Sequence, residues 1–274
     1  MRLASGGALH VSGPPAGQPV LLLHGVGGGA WSWAPQAEAL EREARCYRWE
    51  GRGHGLAARV ADAGLAEYFT DAREALAAVS AEGSAPLVGG HSMGGLLALA
   101  LATEPDAPPV AGLFLIEPVY APDGGRHAAG VLAGAARVLV SPLVRSLQRD
   151  GRVGRTLARS VFRAAFEDDD AMERAWLEQR TQVPVEYPKM MYEAFEGTTG
   201  FPNRAFALEV SQPVTLLEGS VARRRPRFPE LNSTLSERLG QRFTYVRIDG
   251  GHYLQLDRPE PVNAALRDAL RSVR

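Results

Sequence analysis

The chain has 274 residues, enough for one large domain or one domain with a sizeable insertion, and 45% of them are hydrophobic, so it can bury an ordinary core. The 30 basic and 31 acidic residues leave a formal net charge of -1, which argues against nucleic acid as a partner. One cysteine, Cys46, excludes an intramolecular disulfide and fits a reducing compartment. The sequence has neither a basic-then-apolar leader nor an apolar run of the ~18 residues a span requires. A cytoplasmic protein without membrane insertion is therefore expected.

Residues 1–18 are rich in turn formers, with Leu9-His10-Val11 as an edge strand. Val20 to Leu23 is a continuous apolar run, the pattern of a strand covered on both faces. It meets His24-Gly25-Val26-Gly27-Gly28-Gly29. Glycines there either let backbone N–H groups approach an anion or oxyanion closely, or simply make a flexible turn. No Gly-Lys-Ser/Thr follows, so the loop is not of the Walker phosphate type. The pattern next predicts a helix containing Trp31 to Arg42, a strand from Arg45 to Trp49 and a loop Glu50-Gly51-Arg52-Gly53-His54-Gly55. Apolar positions Leu65, Phe69, Ala72, Leu76 and Val79 then recur at helical spacing over 65–82.

Leu87-Val88-Gly89-Gly90-His91-Ser92-Met93-Gly94-Gly95 is the stretch on which the rest turns. A short apolar run meets G-x-S-x-G, and an apolar helical segment from Leu96 to Leu101 follows. A sharp strand-to-helix turn would lift Ser92 Oγ clear of the backbone and aim the following amides at a carbonyl, making Ser92 a candidate nucleophile. Gly90 and Gly94 fit a turn too tight for a Cβ.

Val110 to Ile116 is another buried strand, ending at Glu117-Pro118. Strands separated by helical patterns predict a doubly wound, mostly parallel α/β sheet with helices on both faces. From about 120 to 209 the strand rhythm stops and helical patterns cover 128–149, 153–166, 171–180 and 188–195. A helical cap over 120–209, inserted in a core of 1–119 and 210–274, is the expected organisation. Asp168-Asp169-Asp170 reads as the solvated first turn of the third of these helices, not as a metal site. Met190, Met191, Tyr192 and Phe195 either line a pocket or pack as core. The rhythm resumes with Pro213–Glu218, a helix near Pro229–Leu239, a strand from Phe243 to Ile248, the turn Asp249-Gly250-Gly251-His252 and a helix from Pro259 to Val273.

Leu-Leu-Leu-His24-Gly25, Gly51-Arg52-Gly53-His54-Gly55, Gly90-His91-Ser92-Met93-Gly94-Gly95 and Gly250-Gly251-His252 before Pro259-Glu260 together resemble the α/β-hydrolase superfamily over essentially the whole chain. The resemblance implies a sheet of about eight strands and a cap after the strand ending at Ile116. It also implies Ser92 as nucleophile and His252 as general base. Chemistry agrees, since serine attack needs a base that shuttles a proton near neutrality. By the same resemblance the oxyanion hole is the backbone N–H of Met93 and of Val26, with Gly27 as fallback. His91 is expected as a positioning residue within the turn and His54 within its own loop. His24, Gly25 and His91, with Met190 and Tyr192, are also the candidate substrate-site residues.

The triad acid departs from the family pattern. The usual position follows the strand Thr215–Glu218, but this chain reads Gly219-Ser220-Val221-Ala222-Arg223-Arg224-Arg225 there, without a carboxylate. Dehalogenase-like members place the acid one core strand earlier, where this chain has Glu117. Glu117 is expected to meet His252 Nδ1 within ~2.6–3.2 Å, with Glu218 and Asp249 as alternatives. The run Arg223 to Arg227 is either solvated surface or an anion-recognising rim. The implied activity is a serine hydrolase cleaving a small-molecule ester, thioester or lactone through an acyl-enzyme, with no cofactor or metal. C–C bond hydrolysis, cofactor-free perhydrolysis and a non-catalytic binding protein on the same fold are the alternatives.

Overall fold

The computed structural model describes residues 1–57, 64–120, 159, 163–182, 203–220 and 229–274. The helices predicted over 128–149 and 188–195, most of that over 153–166, Met190, Tyr192 and the run from Arg223 to Arg227 lie outside the described residues.

Seven strands form one sheet among the described residues, in the order β1-β3-β2-β4-β5-β6-β7. They are β1 (Ala8–Ser12), β2 (Gln18–Leu23), β3 (Ala44–Glu50), β4 (Leu87–His91), β5 (Gly112–Ile116), β6 (Val214–Gly219) and β7 (Phe243–Ile248). Only β1 runs antiparallel, paired with β3 at the edge. The resemblance implied about eight strands; the seven among the described residues are those that the sequence reading places. β2, β4 and β5 are apolar without alternation because helices cover both of their faces. Successive side chains divide accordingly: Leu21, Leu23, Val88, Leu113 and Leu115 enter one core, while Val20, Leu22, Leu87, Phe114 and Ile116 enter the other.

Between the strands lie α1 (Ala34–Ala39), α2 (Leu65–Ser80), α3 (Met93–Thr103), α4 (Asp169–Gln182), α5 (Asn203–Glu209), α6 (Pro229–Leu239), α7 (Leu254–Asp257) and α8 (Pro259–Ser272). α3 is buried from Met93 to Leu101 and so carries apolar residues all round rather than a stripe. α8 is amphipathic and buries Val262, Leu266, Ala269 and Leu270 in the second core. The chain order turns back after β3, and the crossover brings β4 beside β2. Such a reversal opens a crevice at the carboxyl ends of the strands, where open α/β sheets bind ligands. The loops after β2, β4, β5, β6 and β7 all emerge on that edge.

α4 begins where Asp168 caps it: the Asp168 carboxylate accepts the Ala171 N–H at 2.7 Å. This is the helix expected over 171–180, found two residues longer at each end. α5 and α7 are too short to have shown a helical period in the sequence.

The loop after β3 is tied to α2 by a buried ion pair. Arg52 Nε and Nη2 donate to the two oxygens of Asp71 at 2.8 and 2.6 Å, and the Arg52 backbone N–H adds a third bond at 3.2 Å. The Asp71 side chain is fully buried, whereas 18% of the Arg52 side chain reaches solvent. Removing the carboxylate leaves a poorly solvated cation and an orphaned amide. Asp71→Ala is expected to lower stability by about 3 kcal/mol, the lower end for a broken buried pair because Arg52 reaches water. A urea midpoint unchanged from wild type would contradict this.

Candidate active site

Ser92 follows β4 and precedes the first residue of α3, with φ 53° and ψ −116°. A residue with a Cβ avoids that region and stays there only when its surroundings over-determine it. Here they do. The Ser92 N–H donates to Ile116 O at 3.0 Å, and Ser92 O accepts from Gly95, Leu96 and Val119 N–H at 3.0, 3.3 and 3.0 Å. The turn passes close under the loop after β2. A Cβ on Gly94 would lie 2.2 Å from Leu23 O, and one on Gly25 would lie 2.9 Å from Ser92 Cβ. Met93, at the start of α3, offers one of the first-turn N–H groups that have no carbonyl partner within a helix. Val26 lies half-buried in the loop after β2.

Glu117, the residue after β5, is the other non-glycine residue with positive φ among the described residues, at 46°. Its N–H donates to Leu217 O at 3.0 Å, which holds it to the edge of β6. Its carboxylate is buried and divided between two loops. Oε1 accepts the Gly219 N–H at 2.8 Å, and Oε2 accepts His252 Nδ1–H at 3.3 Å. The second distance is slightly longer than the sequence reading expects, as hydrogen bonds in ligand-free sites often are.

His252 follows β7 and is fixed through its backbone. Its N–H donates to Ala165 O at 2.8 Å, and its C=O accepts His91 Nε2–H at 2.9 Å. The His91 and His252 ring centroids are 4.7 Å apart, so His252 reaches back over the end of β4. Of the other acids, Glu218 is fully buried and accepts the Tyr245 hydroxyl at 3.1 Å. That contact helps push the Tyr245 phenol, already raised by burial, up to about 12. Asp249 is exposed and accepts Ser220 Oγ–H at 3.1 Å.

His24 and His91, expected at the substrate, are buried, and their described polar contacts go to backbone. His24 Nδ1–H donates to Gly25 O at 2.7 Å while its Nε2 accepts the Gly51 N–H at 3.1 Å, a pattern that fixes one neutral tautomer. The ring stacks on Trp49 at 4.8 Å. His24 thus joins the loop after β2 to the loop after β3. Burial, reinforced by the neighbouring His54, lowers its pKa to about 3. His54 donates from Nδ1 to Arg52 O at 3.1 Å inside its own loop, and burial lowers its pKa too. Burial, then the adjacent His252, holds His91 well below the ordinary value.

Two side chains at this edge were not singled out in the sequence. Gln179 of α4, buried, donates from Nε2 to Gly27 O at 3.3 Å. Asp257, at the end of α7, accepts backbone N–H groups from both the His252 loop and the segment before α4. Neither lies in a motif. Only its place five residues after His252 and just before Pro259 marks Asp257.

A serine raised on a strained strand-to-helix turn, at the carboxyl edge of a doubly wound sheet, is the architecture of the α/β hydrolases. The chain belongs to the Alpha/beta hydrolase family, which it matches over residues 20–265. It is 40% identical over 109 residues to "Putative carbamate hydrolase RutD" of Variovorax paradoxus (strain S110), covering 39% of this chain and 40% of that protein. To the protein of the same name from Enterobacter cloacae it is 39% identical over 104 residues, covering 36% and 38%. The chain thus spans less than half the length of these relatives. Among solved structures, a thermophilic esterase from Thermogutta terrifontis superposes with a TM-score of 0.74 at 25% identity, covering 97% of this chain and 93% of that one. The enol-lactonase from Burkholderia xenovorans LB400 superposes with a TM-score of 0.71 at 20% identity, over 97% and 96%. No helix among the described residues is long and apolar enough to cross a membrane.

The buried imidazoles set a pH dependence. In the unfolded chain each takes up a proton near pH 6.5, whereas in the fold His24 does so only near pH 3, and His54 and His91 also below the ordinary value. The unfolded state therefore binds more protons as pH falls. Stability is complete above about pH 6.5 and declines below it, by up to about 1.4 kcal/mol per pH unit for each ring. The urea midpoint is expected to fall steadily from pH 7 to pH 5; a flat midpoint would mean that the folded rings titrate normally.

Proposed function

We propose that this chain is a serine hydrolase that cleaves a small-molecule carboxylic ester, thioester or lactone through an acyl-enzyme. The reading is supported above all by the Glu117–His252 contact of 3.3 Å, formed across the strand edge from which Ser92 rises. Glu117 keeps the His252 Nδ1–H tautomer and stabilises imidazolium, leaving Nε2 to take the Ser92 proton. Ser92 Oγ then attacks the carbonyl carbon. The oxyanion is received by the backbone N–H groups of Met93 and Val26, and losing one such donor costs roughly 2.7–4 kcal/mol. The intermediate collapses as His252 returns the proton to the leaving oxygen or sulfur. Water, deprotonated by the same ring, releases the acid and restores the serine.

The segment between β5 and β6, of which α4 and α5 are described, is the part of the chain left to select the acyl and leaving groups. His24, Gly25 and His91 act beneath the substrate by positioning the oxyanion loop and the base. The names of the relatives bring carbamates into the substrate range, since a carbamate carbonyl undergoes the same addition. A binding protein that has lost turnover is the competing class, and the departure of the acid from the usual family position is what favours it.

Labelling with a fluorophosphonate separates the two. Modification confined to Ser92 is expected, and a protein that stays unmodified is a binder. Nitrophenyl esters, lactones, thioesters and carbamates assayed in parallel would then identify the substrate class. Ser92→Ala is expected to fold normally and to retain less than about a thousandth of the activity, with His252→Ala comparably impaired. On one ester, Glu117→Gln should fall on the order of a hundredfold or more, while Glu218→Gln keeps most of its activity. The reverse ranking would move the acid to β6.

A further inference from the structure

The segment that leads into α4 is fastened to the His252 loop at two adjacent levels. Ala165 O accepts the His252 and Tyr253 N–H groups at 2.8 and 3.3 Å. Above that, the Asp257 carboxylate stands between the two segments. Oδ2 accepts the Gly251 N–H at 2.9 Å and the Glu167 N–H at 3.1 Å, and Oδ1 accepts the Asp168 N–H at 3.3 Å. Asp257 is 4% exposed, and burial pushes its pKa up against the opposing pull of the three amides. A buried carboxylate is costly unless satisfied, and this one is satisfied only while both segments are in place.

The fit around it is close. A Cβ on Gly251 would lie 2.5 Å from Ala165 O and 2.8 Å from Asp257 Oδ2, so only glycine fits between them. Phe166 stacks on Tyr253 at 4.7 Å, beside Met172 and Ala175 of α4. Towards the other end of α4, Gln179 donates to Gly27 O in the loop after β2. One helix is therefore seated both on the loop that carries the base and on the loop proposed to receive the oxyanion.

We propose that Asp257 is a positioning residue, acting through Gly251 to hold His252 in line with Glu117, and that it does so only while the segment 165–168 is docked. The proposal rests on His252 acting as the general base. Without the carboxylate bridge, the Gly251-His252 turn is anchored less firmly and the imidazole spends less time in line. Ground-state binding of a small ester, which does not involve this turn, is unaffected.

Asp257→Asn keeps the size and one acceptor oxygen but sets an NH₂ group against an amide N–H. On a small nitrophenyl ester its kcat is expected to fall about 10- to 100-fold with KM within twofold of wild type. The downfield His252 Nδ1–H proton resonance should broaden or shift while the variant remains folded. Unchanged kcat, or a loss of kcat/KM that comes from a rise in KM alone, overturns the proposal. The resonance reports the His252–Glu117 geometry whether or not the protein turns over. Failure of fluorophosphonate labelling on wild type would therefore sink the proposed function without deciding this point. Should Asp257→Asn not fold, hydrogen exchange on wild type serves instead. The Gly251, Glu167, Asp168 and His252 amides are expected to open together with one rate, and a Gly251 amide opening independently of Glu167 and Asp168 refutes the link.

Discussion

Ser92 and Glu117 are held at φ 53° and 46°, side by side at the ends of neighbouring strands, and the site depends on the sheet keeping them there. Each such conformation costs on the order of 1–3 kcal/mol for a residue with a side chain. The constraint is a chain of backbone hydrogen bonds running across the edge: Ser92 N–H to Ile116 O, Glu117 N–H to Leu217 O, and Val119 N–H back to Ser92 O. Neither turn relaxes without breaking a bond of the other. The strands behind them are buried at every position, so their packing offsets the strain. The turns project the Ser92 hydroxyl and the Glu117 carboxylate from the strand ends. A residue of ordinary φ would continue the alternation into one of the two cores.

Desolvation divides the histidines between two kinds of work. His24, His54 and His91 are sealed in and kept neutral; His24 Nε2 ties the loop after β2 to the loop after β3, and His91 ties the end of β4 to the His252 loop. Being neutral, they can support the site without placing a competing cation beneath it. The His252 side chain is 27% exposed and faces the Glu117 carboxylate, so of these four rings it is the one that both reaches solvent and meets an acid. In the proposed mechanism this contrast keeps the moving proton on one imidazole.

Much of the fold was legible because the signals are local. The runs at Val20–Leu23, Val110–Ile116 and Pro213–Glu218 read as strands because a doubly covered strand needs unbroken apolar sequence, and all three lie in the sheet. The serine turn was legible from Gly90 and Gly94: a Cβ on Gly90 would meet the backbone of Gly94 and Gly95, and one on Gly94 would meet Leu23 O at the end of β2. Long-range pairing was not. Asp257 and Gln179 make contacts 90 and 152 residues away in sequence, through backbone groups that leave no residue-type signature. The buried placement of His24 and His91 was likewise hidden, because a glycine-rich setting suits a ligand loop and a packed turn equally well.

The order of the strands also explains how an acid on β5 comes to face a histidine after β7. To stand near a serine on β4, the His252 loop has to fold back over β6 and β5, since the sheet runs β4-β5-β6-β7. The contact of its ring with His91 at 4.7 Å places it over the end of β4 already. A carboxylate on β5, the strand next to the serine, then lies beneath the ring, whereas one on β6 lies a further ~4.8 Å across the sheet. The edge of β6 has a different use here. Gly219 N–H donates to Glu117 Oε1, and a Cβ on Gly219 would lie 2.5 Å from Gly250 O, so the strand end is pressed under the His252 loop. Glu218, on the same strand, spends an oxygen on the Tyr245 hydroxyl. β6 thus supplies an amide donor to the carboxylate of its neighbour, and the acid that meets the imidazole comes from the end of β5.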